Sequence, residues 1–131
     1  MIALDTNVLV RLLVEDDREQ ARRAVALLRG AAGRGEQAFV PDVVVCELAW
    51  VLTSAYGFGK PDVLRALRGL LGAAELAFRD AAGLERALAA FEAGRGALAD
   101  HVIREQAQAA GCEAVATFDR ALHRVPGFVA A

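Results

Sequence analysis

Residues 2–17 read IALDTNVLVRLLVEDD. Ile2 to Leu4 predicts a short buried strand, and Asn7 to Val14 predicts a helix with Thr6 available as its N-cap. Asp5 sits at the joint. A carboxylate between two apolar elements is costly unless it finds partners. Which partners it has decides how the chain is read.

The rest of the chain repeats the alternation. Ala38–Val40, Leu76–Phe78 and Ala114–Phe118 are the further candidate strands. Pro41 suits the first turn of a helix running to about Ala55, with Val44, Leu48, Val51, Leu52 and Ala55 as its apolar stripe. Helices are also predicted from Asp17 to Gly30, which stops the helix, and from Pro61 to Gly72. Two more run through Leu84, Leu88 and Phe91 and from about Leu98 to Ala110. The glycines of GAAGRGEQ mark a loop. Strands alternating with helical segments argue for one α/β domain over residues 1–131 with a parallel sheet.

Composition removes several functions. The chain has 131 residues and a net charge of −2, and only Lys60 of its 15 basic residues is lysine. A bulk polycation is excluded, so nucleic-acid binding would need metal ions or a local arginine patch. No apolar run approaches the roughly 18 residues of a membrane span. No basic segment precedes a hydrophobic run, so a secretory signal is not expected. Cys46 and Cys112 form no CxxC pattern and read as reduced core residues of a cytoplasmic protein.

Most of the 17 acids have ordinary positions. Asp16, Asp17, Asp42 and Asp62 suit helix starts. Four stand out. Asp5 and Asp119 each follow an apolar strand, where open parallel sheets bind ligands; each could equally cap the turn that follows it. Thr117, two residues before Asp119, points the same way on a regular strand and can orient that carboxylate. Glu47 lies about 60° from Val44 and about 40° from Val51 around its helix, so it borders the apolar stripe. It either reaches water, pairs with an arginine or binds a cation. Asp100, in ALADHVI, sits in a helix first turn, where an acid is ordinary. Together the four suggest an all-oxygen site for a hard divalent cation, Mg²⁺ or Mn²⁺, and phosphate chemistry. Neither His101 nor His123 has a partner at metal-ligand spacing, which argues against zinc.

These segments carry a resemblance. LDTNVLVRLLVEDD, PDVVVCELAWVL, ALADHVI and VATFDRAL are similar, in order and spacing over nearly the whole chain, to the PIN-domain family. Within it they resemble the VapC-like ribonuclease toxins of bacterial type II toxin–antitoxin systems. The resemblance implies a three-layer α/β/α sandwich around a central, mostly parallel sheet. It implies that Asp5, Glu47, Asp100 and Asp119 bind Mg²⁺ or Mn²⁺, with Thr6, Asn7 and Thr117 as polar helpers. It further implies metal-dependent hydrolysis of RNA to 5′-phosphate and 3′-hydroxyl ends, a homodimer, and a small antitoxin that blocks the site. Arg22, Arg23, Arg29 and Arg34 are candidate phosphate contacts or ordinary solvated helix surface, as are Arg65 and Arg68. Tyr56 and Phe58 fit an interface better than a base-stacking turn, and Trp50 fits core or interface. An aspartyl phosphatase of DxDxT type is disfavoured because Asn7 stands where its second Asp would be. A catalytically silent PIN-fold binding or oligomerisation module is the alternative to the nuclease.

Overall fold

A computed structural model describes all residues, Met1–Ala131. The chain forms two compact units, Met1–Arg79 and Asp80–Ala131.

The first unit is organised around β1 (Ala38–Val40). Alternate residues of a strand direct their backbone groups to opposite edges. On one edge the Leu4 N–H donates to the Phe39 carbonyl (2.8 Å) and the Phe39 N–H to the Ile2 carbonyl (2.8 Å). Residues 2–4 thus form a single parallel bridge, Ala3 to Phe39, where a full strand is expected. Leu4 is buried, but Ile2 lies exposed, so this segment is less enclosed than its apolar character suggests. On the other edge β2 (Leu76–Phe78) pairs in parallel with Ala38 opposite Leu76. The Gln37 amide fixes the start of that ladder by donating to the Ala74 carbonyl at 2.9 Å.

Four helices belong to this unit. α1 (Thr6–Leu13) begins one residue after Asp5. Asp5, not Thr6, is its N-cap, its carboxylate accepting from the Thr6 N–H at 2.8 Å. α2 (Arg18–Gly33) is capped by Asp17, which accepts from the Gln20 N–H. It runs past Gly30, where a stop is expected. A mid-helix glycine costs only about 1 kcal/mol, and Ala31 just beyond it is buried. The turn comes instead at Gly35, whose φ of 70° favours glycine. α3 (Asp42–Ser54) buries Val44, Val45, Leu48, Ala49 and Leu52, and Pro41 takes its N-cap position. α4 (Lys60–Leu71), with Pro61 in its first turn, buries Val63, Leu64 and Leu67. α1 packs on α2 and α3, α3 on α4, and α4 on β2.

The second unit pairs α5 (Ala81–Ala93) with α6 (Leu98–Ala109), and Leu84, Leu88, Leu98 and Val102 are buried. Asp80 caps α5 by accepting from the Gly83 N–H at 2.9 Å. β3 (Val115–Thr117) leads through a 3₁₀ turn, η1 (Arg120–Leu122), to β4 (Phe128–Ala130). β3 and β4 are parallel, Val115 opposite Phe128. β4 is not expected from the sequence and is defined by its pairing with β3. Every strand pairing in the chain is parallel, as the α/β reading expects.

The cysteines depart from expectation. Cys46 is only half-buried and Cys112 is exposed, so neither is a core residue. Burial, with a smaller contribution from the Asp42 charge, pushes the Cys46 thiol up to about 11. Thiolate is the reactive form. At pH 8 a maleimide is therefore expected to label Cys112 rapidly and Cys46 at least about tenfold more slowly. Mass spectrometry of timed samples should show one label per folded chain and two after denaturation; rapid double labelling of folded protein would contradict this placement.

Candidate active site

Asp5 is placed by the bridge before it and the helix after it. Only its Oδ1 is committed, to the Thr6 N–H, and the side chain is exposed. α3 presents Glu47 to the same concavity, a space of about 220 Å³ lined by Asp5, Thr6, Asn7, Arg11, Glu47 and Tyr56 among others. Glu47 is exposed, so water solvates it and the apolar stripe beside it imposes no burial cost. Asn7 is exposed at the rim. Thr6 is 5% exposed, yet its Oγ1 has no hydrogen-bond partner. A buried hydroxyl is seldom left unsatisfied without a functional reason.

Arg11, not expected as a site residue, also lines this concavity. Its Nε donates to Gln20 Oε1 at 2.6 Å, and its Nη1 donates to Asp16 Oδ1 at 3.2 Å. Tyr56 hydroxyl donates to Asp16 Oδ2 at 2.7 Å. Asp16 is therefore not a helix-start acid but the anchor that fixes Arg11 and Tyr56. The Tyr56 hydroxyl, and then the Asp16 charge, raise the Arg11 pKa against the opposing effect of desolvation, so a fixed positive charge stands beside Asp5 and Glu47. Tyr56 is tied to this network. The missed signal was Arg11 and Asp16 five residues apart across a helix end.

Asp100 and Asp119 lie in the second unit. Asp100 Oδ2 accepts from the Ala97 N–H at 2.7 Å, folding back on its own first turn. Gly96, with φ 87°, is required beside it: a Cβ there would stand 3.0 Å from Asp100 Oδ2 and 2.8 Å from Leu122 Cδ2. Asp119 Oδ1 accepts from the Ala121 N–H at 2.9 Å. Thr117 acts on the turn rather than on the carboxylate itself: its Oγ1 accepts from the Asp119 N–H at 3.0 Å. Each of these two aspartates keeps its second oxygen uncommitted. In neither unit do three or more His, Cys, Asp or Glu side chains gather as a ready metal cage; each unit contributes two of the four acids.

The α2 arginines do not form one patch. Arg22 and Arg29 line a shallow surface together, Arg23 faces the concavity shared by Asn7 and Arg11, and Arg34 lies 3.6 Å from Glu36. Trp50 is 69% exposed, which rules out the core role considered for it.

In the first unit Asp5 and Glu47 thus share one concavity with the orphaned Thr6 hydroxyl, just after a parallel bridge. The PIN domain family model matches residues 2–127. The chain belongs to the PIN domain family, an α/β family whose members are generally nucleases, and the match runs through both units. Comparison with curated proteins gives no match. No helix is long and apolar enough to cross a membrane.

Proposed function

We propose that this protein is a Mg²⁺- or Mn²⁺-dependent endoribonuclease, the toxin of a type II toxin–antitoxin pair, held in check by a small cognate antitoxin. It acts as a cytoplasmic homodimer. The carrying observation is the concavity that joins Asp5 and Glu47 over the unpartnered Thr6 hydroxyl. The donor set fits a hard cation: Mg²⁺ is commonly held by one or two carboxylates and otherwise keeps its waters. Asp5, Glu47, Asp100 and Asp119 would hold it. Bound there, it supplies Lewis-acid neutralisation of the charge that develops on the phosphoryl oxygens.

The chain's own residues do the rest. Asp5 uses one oxygen to cap α1 and keeps the other for the cation. Thr6 Oγ1 stands unpartnered beneath the concavity, and Asn7 offers its amide at the rim. Arg11, already charged and held by Asp16 and Gln20, keeps its Nη2 protons out of that network and can meet a phosphate oxygen. Thr117 sets the turn from which Asp119 projects.

Calorimetric titration with Mn²⁺ tests the assignment without RNA. Glu47→Gln is expected to weaken binding by about 10- to 100-fold. Equal Mn²⁺ affinity in the variant and the parent would remove Glu47 from the site. Thr6→Val separates chemistry from packing. The buried Oγ1 is unsatisfied, so its loss is expected to leave the metal-free Tm unchanged or slightly higher. Cleavage should fall by about tenfold, within the range of a single lost polar contact. A Tm drop of several degrees with normal cleavage would make Thr6 a structural residue only.

A further inference from the structure

The second unit contains a basic cleft that the acidic site does not use. It occupies about 550 Å³, within the range of small-ligand sites. Arg95, His101, Arg104, Gln108, Arg124 and Gly127 are among its walls, and no carboxylate lines it. Its floor is Arg104, only 8% exposed. The guanidinium Nη1 donates to His101 Nδ1 at 2.9 Å. A donor at Nδ1 makes that nitrogen the acceptor, so the ring proton sits on Nε2 and is donated to the Arg95 carbonyl at 2.7 Å. His101 accepts from Arg104 and brings no negative charge to offset it.

The only carboxylate hydrogen-bonded to Arg104 is shared. Glu105 lies 3.4 Å from Arg104 Nη2 and 2.8 Å from Arg86 Nε. Two guanidiniums on one carboxylate leave one positive charge in excess. Arg95 and Arg124 add two more, and neither side chain enters a salt bridge or hydrogen bond. The backbone is shaped around this charge. Gly127 has φ 94°, and a Cβ there would stand 2.5 Å from Arg104 Cδ. A buried cation with excess charge, walled by two unpaired guanidiniums and lacking acids, selects an anion of tetrahedral, multiply accepting geometry.

We infer that this cleft is a phosphate-binding site that takes a backbone phosphate of single-stranded RNA, apart from the acids that perform the cleavage. The inference rests on the nuclease reading for its choice of RNA. Arg95 and Arg124 contact the phosphate, and Arg104 supplies the field beneath it. GRG at residues 94–96 gains a role on both sides: Arg95 faces the cleft, and Gly96 makes room for Asp100.

The test is RNA binding by the full chain carrying Asp5→Asn, which the nuclease reading makes unable to cut. The probe is a short RNA oligonucleotide without terminal phosphates, titrated with Mg²⁺ present over a series of salt concentrations. Both arginines are replaced together, Arg95→Gln with Arg124→Gln, and Arg18→Gln is the control. Arg95, Arg124 and Arg18 are exposed, so folding should persist. The expected result is an affinity about tenfold lower than the parent and a log–log salt slope shallower by about 1.4, for two lost single-strand phosphate contacts. Arg18→Gln should change neither. Unchanged affinity and slope in the double variant would overturn the cleft while leaving the nuclease reading intact. Absence of RNA binding by the Asp5→Asn parent would overturn both. Loss of inorganic phosphate binding, measured by calorimetry, with unchanged RNA affinity would assign the cleft to a free phosphate and overturn the RNA contact.

Discussion

Asp5→Asn is expected to lower the RNA cleavage rate by at least about a hundredfold while the fold persists. Loss even of an outer partner of a metal ligand typically costs 10- to 100-fold, and Asp5 would be a direct ligand. Stability should barely change. The side chain is exposed, and its one structural duty is the α1 cap, which asparagine performs about as well. In the metal-free state the substitution also relieves repulsion with Glu47 across the shared concavity. The metal-free Tm is therefore expected to stay level or rise slightly. Asp5→Ala, which keeps no cap, should lose about 1 kcal/mol. Parallel melts and rate measurements on the two variants check this. A Tm several degrees lower for Asp5→Asn would show that Asp5 is held by structure rather than kept for a cation.

Gly127→Ala is expected to be the most destabilising single-methyl change in the second unit, at about 3 kcal/mol. A left-handed φ costs a residue with a Cβ about 1–2 kcal/mol. Overpacking against Arg104 adds about 1–3 kcal/mol, because the obstructing atom is the stem of a buried side chain and not a free end. Arg104 cannot swing aside without abandoning its bonds to His101 and Glu105. Urea unfolding of the variant beside the parent measures the loss. A change under about 0.5 kcal/mol, within the range of ordinary surface substitutions, would mean that the Arg104 stem is not fixed.

What the sequence disclosed follows from how local each signal is. α1, α3, α4, α5 and α6 were readable because each carries its own apolar stripe. Asp5 was readable because a carboxylate between two apolar runs is conspicuous within five residues. The α2 end was not, since the expected stop at Gly30 was overridden by burial of Ala31, a tertiary effect. β4 directly follows the Pro126–Gly127 turn and is defined by its pairing with β3. Arg11 looked like one more surface charge because Tyr56, 45 residues away, completes its network. His101 and Arg104 are three residues apart on α6, the spacing of helix neighbours. Their sequence did offer that hint, but nothing local shows that Gly127 closes over them. The sequence offers Thr6 as the cap that Asp5 in fact provides; a one-residue shift at the helix start is enough to turn a capping hydroxyl into a buried, unpartnered one.

Asp5, Glu47, Asp100 and Asp119 are expected to cut RNA with a divalent cation. The most direct measurement incubates purified protein, freed of any antitoxin, with pooled small RNAs and ribosomal RNA. Parallel reactions contain Mg²⁺, Mn²⁺ or chelator, and Asp119→Asn runs beside the parent. The prediction is discrete cuts with 5′-phosphate ends in the metal reactions only, reduced at least about a hundredfold in the variant. Cuts that persist in chelator, or no cuts in any reaction from a folded chain that also fails to bind Mn²⁺, would contradict it.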